Sequence, residues 1–150
     1  MARGRAASAS RFAIVRALFN AEITQALLDG ALTAFDQAGI ARRRLTVVEV
    51  PGAFELPAAA LWLAQTKRYA AVVALGCVIR GETPHFEFVA GECARGLQQA
   101  SLETGVPVAF GVLTVNTVEQ ALQRAATSGD NKGGEAMLSA LEMAGLLARL

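Results

Sequence analysis

Apolar and polar positions along the chain alternate between two periods. Phe12 to Leu18 is an apolar run of strand length. Ile23, Ala26, Leu27, Ala31, Ala34 and Phe35 then fall at helical spacing, and Gly39 marks the end of that helix. Leu45 to Val50 carries β-branched residues and stops at Pro51-Gly52, and Leu56 to Gln65 reads as a short helix with an Ala-rich face. Ala70 to Ile79 is continuously apolar, the pattern of a strand buried on both faces. Phe86 to Glu103 returns to the helical period and is closed by Gly105. Pro107 to Thr114 predicts a fourth strand. Val118, Ala121, Leu122 and Ala125 mark one further helix, and Met137, Ala140, Leu141 and Ala144 mark the last.

This βαβαβαβα order predicts an α/β protein, a three-layer α/β/α sandwich around a four-stranded parallel sheet. The flavodoxin-like strand order 2-1-3-4 is added by analogy. Residues 12–150 are expected to form one domain, preceded by a mobile tail over residues 1–11. The tail is acid-poor and rich in Arg, Ser and Ala, as organelle transit peptides are, but it is short and has no apolar h-region of a secretory signal.

Composition narrows the class. Of 150 residues, 53% are apolar and 18% charged, so the chain can bury a full core. So few charges on so small a domain also point to surface covered by another subunit. Fourteen basic residues against thirteen acidic give no electrostatic case for nucleic acid. Arg42-Arg43-Arg44 is the one basic block after the start and reads as a solvated turn. Cys77 and Cys93 lie in apolar surroundings, without a C-x-x-C pair or any Cys/His spacing for a metal, as in a reduced cytoplasmic protein. The longest apolar run is about half of the ~20 residues that a membrane-spanning helix needs.

Ligands of open α/β sheets bind beyond the carboxyl ends of the strands. The unusual residues of this chain gather in those segments. Phe19-Asn20 follows the first strand, Pro51 to Glu55 the second, Arg80 to His85 the third, and Val115-Asn116-Thr117 the fourth. In the third segment Gly81 permits a close ligand approach, and the coming helix start offers free N–H groups that favour phosphate. Thr83 adds a hydroxyl. His85 is the only histidine, the side chain that changes charge near neutral pH, and so either a proton carrier or a surface or capping residue at a helix start. Glu55 is either a capping acid or an acceptor for substrate hydroxyls, Phe54 either core or part of a turn whose N–H groups hold a planar ring edge, and Phe19 either a packing residue or a stacking partner for a heterocycle. Arg124 sits opposite the apolar stripe of its helix, on a solvated face or against a phosphate. Lys132 lies in Asp130-Asn131-Lys132-Gly133-Gly134, read as a turn ahead of the last helix. Neither a Walker A loop nor G-x-G-x-x-G is present. The residues alone point to a planar, phosphate-bearing small molecule and one histidine for proton transfer.

Together these segments resemble lumazine synthase. The matching pieces are Phe19-Asn20, Val50 to Pro57, Gly76 to Glu87, Pro107 to Thr114, Glu119-Gln120-Ala121 with Arg124, and Asn131-Lys132-Gly133 with Glu135-Ala136. They span nearly the whole chain from about residue 12, and the long third piece is specific. The resemblance implies the penultimate step of riboflavin biosynthesis. In it, 5-amino-6-(D-ribitylamino)uracil condenses with 3,4-dihydroxy-2-butanone 4-phosphate to 6,7-dimethyl-8-ribityllumazine, with no metal or cofactor. It further implies that Phe19 stacks on the pyrimidine, that Ala53 and Phe54 offer backbone groups, and that Glu55 binds the ribityl hydroxyls. Cys77, Val78 and Ile79 meet the pyrimidine edge; Gly81, Glu82 and Thr83 line the phosphate end, with Arg124 as counter-charge; His85 shuttles protons. Phe110, Arg124 and Lys132 match positions supplied by a neighbouring subunit, supported by Glu135. The implied partners are copies of the chain itself, as a pentamer or an assembly of pentamers, and riboflavin synthase. The chain departs from many relatives at Asn116, where they carry an acid, and at Gly134, where a bulkier residue is common. Three other functions compete: a non-catalytic riboflavin- or lumazine-binding relative, a purely structural shell, and an FMN carrier. The carrier needs a Ser/Thr/Gly phosphate loop where this chain has Phe19-Asn20-Ala21-Glu22.

Overall fold

The computed structural model describes residues 10–150. The tail expected over residues 1–11 therefore lies, for residues 1–9, outside the described residues. Four strands, β1 (Phe12–Ala17), β2 (Leu45–Val50), β3 (Ala71–Ile79) and β4 (Val108–Val115), alternate with five α-helices. These are α1 (Ala21–Gln37), α2 (Leu56–Gln65), α3 (His85–Thr104), α4 (Val118–Arg124) and α5 (Lys132–Arg149). The strands form one parallel sheet in the order β2-β1-β3-β4, the flavodoxin-like order expected.

Burial explains the strand patterns. β1 is buried throughout and β3 is buried from Ala71 to Cys77, which is why β3 reads as an unbroken apolar run and β1 as one interrupted only by Arg16. β2 is an edge strand, and its burial alternates. Two apolar layers form on the sheet. On one face Phe12, Ile14, Val73 and Leu75 pack with Leu27, Phe35 and Met137 of α1 and α5. The Phe12 and Phe35 rings meet edge to face at 5.8 Å. On the other face Val15, Val72 and Ala74 pack with Leu56, Ala60, Cys93 and Leu97 of α2 and α3. Among the described residues no helix is long and apolar enough to cross a membrane.

Two local expectations are corrected. Lys132 and the two glycines after it are not a turn but the first turn of α5. Asn131 makes this possible: its Oδ1 accepts from Gly134 N at 3.0 Å, capping the helix, while its Nδ2 donates to Ala26 O and Ala125 O. The stripe read on α4 is also narrower than expected. Ala121 and Ala125 are buried, but Val118 and Leu122 are about half exposed. A helix of under two turns reaches the sheet with its alanines only. Arg42–Arg44 forms an exposed 3-10 turn, and Arg42 pairs with Asp36 at 2.8 Å, as a solvated turn should.

Candidate functional site

Parallel strands in this order bring the carboxyl ends of β1, β2 and β3 to one end of the sheet, beside the start of α3. A cleft of about 450 Å³ opens there. Each wall has an identifiable cause.

The Phe19-Asn20 turn is held from three sides. Phe19 N donates to Pro51 O at 2.9 Å. Asn20 adopts the left-handed conformation (φ 61°), which asparagine tolerates, and its Nδ2 donates to Cys77 O at 2.9 Å. Behind the turn, Arg16 is buried in β1 with every edge of its guanidinium used. Nε donates to Thr24 Oγ1 at 3.1 Å, Nη2 to Ala21 O at 2.9 Å, and Nη1 pairs with Glu49 at 3.0 Å. Burying a charge without such partners is costly, so Arg16 locks the start of α1 to β1 and β2. The Phe19 ring is thereby left 72% exposed on the cleft wall, which rules out its description as a packing residue.

The second wall is the 3-10 turn Ala53–Glu55. Glu55 occupies the N-cap position of α2, but its side chain makes no capping bond there. Its carboxylate lies instead beside Gly52, whose added Cβ would stand 3.4 Å from Oε1, and both residues line the cleft. Phe54 is 59% exposed, so it is not core. The floor is Cys77, Val78 and Ile79 of β3. Cys77 and Cys93 are both buried free thiols. Burial pushes the Cys77 thiol up to about 11 and Cys93 up to about 12. Cys77 is therefore a neutral, apolar floor residue at neutral pH and not a thiolate nucleophile.

The third wall is the loop into α3, with Gly81, Thr83, His85, Phe86 and Val89 on the cleft. The N-cap of α3 is Pro84, with no side-chain capping bond, so His85 does not cap the helix. Its N–H donates to Thr83 Oγ1 at 3.4 Å, which leaves the threonine O–H available to a ligand. Glu82 is exposed in the same loop but is not among the residues lining the cleft.

The remaining predicted residues surround a different depression, of about 370 Å³. Phe110, Arg124, Lys132 and Glu135 line it with β4 residues. Arg124 Nη1 donates to Gln120 O of its own helix at 3.1 Å, and Lys132 pairs with Glu135 at 3.1 Å. The two depressions share no lining residue.

A sequence-family model for 6,7-dimethyl-8-ribityllumazine synthase matches residues 9–148, nearly the whole chain. The chain belongs to that family. Lumazine synthases are an enzyme family of riboflavin biosynthesis, and the family also includes non-catalytic relatives. Its substrates are small molecules, which suits a cleft of this volume.

Four cleft residues escaped the sequence reading as site residues: Asn20, Gly52, Phe86 and Val89. Asn20 was legible only as part of a motif, because its bond to Cys77 O crosses from β1 to β3. Arg16 was missed too. Its signal was a lone charge in an apolar run, opposite Glu49 in the parallel register.

Proposed function

We propose that this chain catalyses the lumazine-forming condensation itself, joining 5-amino-6-(D-ribitylamino)uracil to 3,4-dihydroxy-2-butanone 4-phosphate with release of phosphate and water. The observation that carries this is the convergence, in one cleft, of an exposed aromatic ring, a free carboxylate and the chain's only histidine. Phe19 stacks on the pyrimidine, the Ala53–Phe54 backbone and the Cys77–Ile79 edge hold the ring, and Glu55 accepts from the ribityl hydroxyls. Gly81 and Thr83, ahead of the α3 N-terminus, receive the phosphate, with Glu82 at the loop's outer side. His85 carries protons during imine formation and phosphate loss, as an imidazole that can both accept and donate a proton.

The cleft is completed by a neighbouring copy, which supplies Phe110, Arg124 and Lys132, with Glu135 orienting Lys132. Arg124 is then the counter-charge of the phosphate. Two features support this. Residues expected around one ligand divide between two depressions, and large apolar side chains near the second one, Phe110, Val118 and Leu122, are 46–49% exposed. A ring of five subunits, working in the cytoplasm, is the assembly we propose.

The test follows lumazine absorbance. The unaltered protein forms product above the uncatalysed background, and His85→Ala lowers turnover by about 10²- to 10⁴-fold with a modest loss of binding. Arg124→Ala raises the KM for the phosphorylated substrate. At butanone phosphate well below the raised KM, where both variants are nearly inactive, equal mixtures of the two, dissociated and reassembled, regain about one quarter of the activity if each site takes one residue from each of two adjacent subunits of a ring. No restoration would refute the shared site. No product from the well-folded, unaltered assembly would refute the condensation, and riboflavin titration would then test a ligand-binding role.

A further inference from the structure

The segment Gly81–Pro84 carries or adjoins four of the residues assigned above, yet it is exposed along its whole length. Its bonds are short-range: His85 N to Thr83 Oγ1 at 3.4 Å and Glu87 N to Pro84 O at 3.0 Å. A loop with so little internal support is expected to open locally, and a displacement of about 1 Å at such a site lowers rates strongly.

Arg80 stands at the first end of this loop. Its backbone is fixed to the sheet, since Arg80 N donates to Val115 O at 2.8 Å. Its side chain then reaches across to the far end. Nη1 meets Glu87 Oε1 at 3.2 Å, and the guanidinium lies 4.5 Å from the centroid of Phe86, a ring that lines the cleft. In a third direction Nε donates to Asn116 Oδ1 at 3.0 Å, in the turn between β4 and α4. Asn116 is held in turn, because its N–H donates to Gln120 Oε1 at 2.7 Å. Gln120 belongs to the helix that ends with Arg124.

We propose that Arg80 is a positioning residue, a clamp that ties the two ends of the Gly81–Pro84 loop to each other and to the turn after β4; its consequence for turnover rests on the proposed condensation. The contacts explain why arginine serves. One group stands over the Phe86 ring while two of its nitrogens donate to acceptors on different elements. A lysine ammonium retains the charge and the Glu87 pair but lacks the separate Nε donor to Asn116. Each contact is exposed and individually weak, and their sum corresponds to about a tenfold effect on binding by the loop.

Three variants of the full-length protein test this: Arg80→Met, Arg80→Lys and Asn116→Ala. Asn116→Ala removes one arm of the clamp from outside the loop and serves if Arg80→Met folds poorly. Amide hydrogen exchange over residues 81–85 is expected to quicken in Arg80→Met and, to a smaller degree, in the other two. The KM for the butanone phosphate is expected to rise about tenfold in Arg80→Met and by an intermediate factor in Arg80→Lys. The KM for the pyrimidine substrate is expected to stay unchanged, a split that general destabilisation would not produce. Unaltered loop exchange in both Arg80→Met and Asn116→Ala overturns the clamp. A wild-type KM in Arg80→Lys overturns it as well, since charge alone would then suffice. An unaltered protein that forms no lumazine overturns the condensation instead, and the exchange measurement still decides the clamp.

Discussion

Gly133, in the first turn of α5, lies directly on the backbone of α1, and Gly133→Ala probes that contact. A Cβ there would stand 2.7 Å from the carbonyl carbon of Leu27 and 2.9 Å from its Cα, with the carbonyl oxygen nearer still. Carbon atoms in good contact are about 3.5–4.0 Å apart, so the two helices must separate by roughly 1 Å. The obstacle is main chain in the middle of a helix and has no rotamer to change. Its cost lies at the top of the usual overpacking range, about 3 kcal/mol. Gly134→Ala is the internal control. It gains the same helix propensity, up to about 1 kcal/mol, but its Cβ meets only the Gly30 carbonyl, O at 3.3 Å and C at 3.7 Å, a contact that a small shift relieves. The difference between the two variants therefore isolates the clash. Urea unfolding at one fixed protomer concentration measures it, since assembly itself shifts apparent stability. Gly133→Ala is expected about 3 kcal/mol below Gly134→Ala, roughly 6–12 °C in Tm. Because α5 begins at Lys132 and carries Glu135, the same variant should also impair the second depression. Equal stabilities within about 0.5 kcal/mol would refute close backbone packing of α1 on α5.

Two further outcomes follow from the cleft and from the buried thiols. Phe19→Ala removes an exposed ring, so stability should hold, while the KM for the pyrimidine substrate rises about tenfold, a typical cost of losing one stacking partner; steady-state kinetics with each substrate varied in turn checks this, and an unchanged pyrimidine KM would contradict the stacking role. Burial raises the Cys77 and Cys93 thiols from 9.0 to about 11 and about 12. The folded state thus holds these protons more tightly than the unfolded chain, and the resulting stability is complete below pH 9 and lost as pH rises through 11 and 12. Urea unfolding at pH 8 and pH 10.5 should therefore show a steeper decline for the unaltered protein than for the Cys77→Ala, Cys93→Ala double variant, and parallel declines would contradict the assigned cause.

Much of this molecule was written locally. Strands buried on both faces are apolar wherever no partner compensates a polar group, so Ala71 to Ile79 declared itself, as did the helices on either side of it. The residues after each strand were legible as site candidates because the carboxyl ends of parallel strands share one end of the sheet whatever their order. Boundaries shifted only by a residue or so, except at Lys132. There a cap formed by Asn131 depends on Ala26, far away in the chain, and no local pattern reports such a partner.

What the tertiary structure decided is which candidates meet and which side chains face the cleft. Phe19, Phe54 and Glu55 had ordinary explanations as core or capping residues, and only their exposure and missing capping bond set those aside. The division of the predicted residues between two depressions followed from strand order, since β3 lies between β1 and β4 and separates what each edge can reach. The Arg16 network and the Arg80 clamp likewise needed the register, which brings Arg16 to Glu49 and the end of β3 to the end of β4. Sequence specifies elements through short-range periodicity and backbone preference. Contacts between residues dozens of positions apart exist only once the sheet is assembled, and most of this site is made of such contacts.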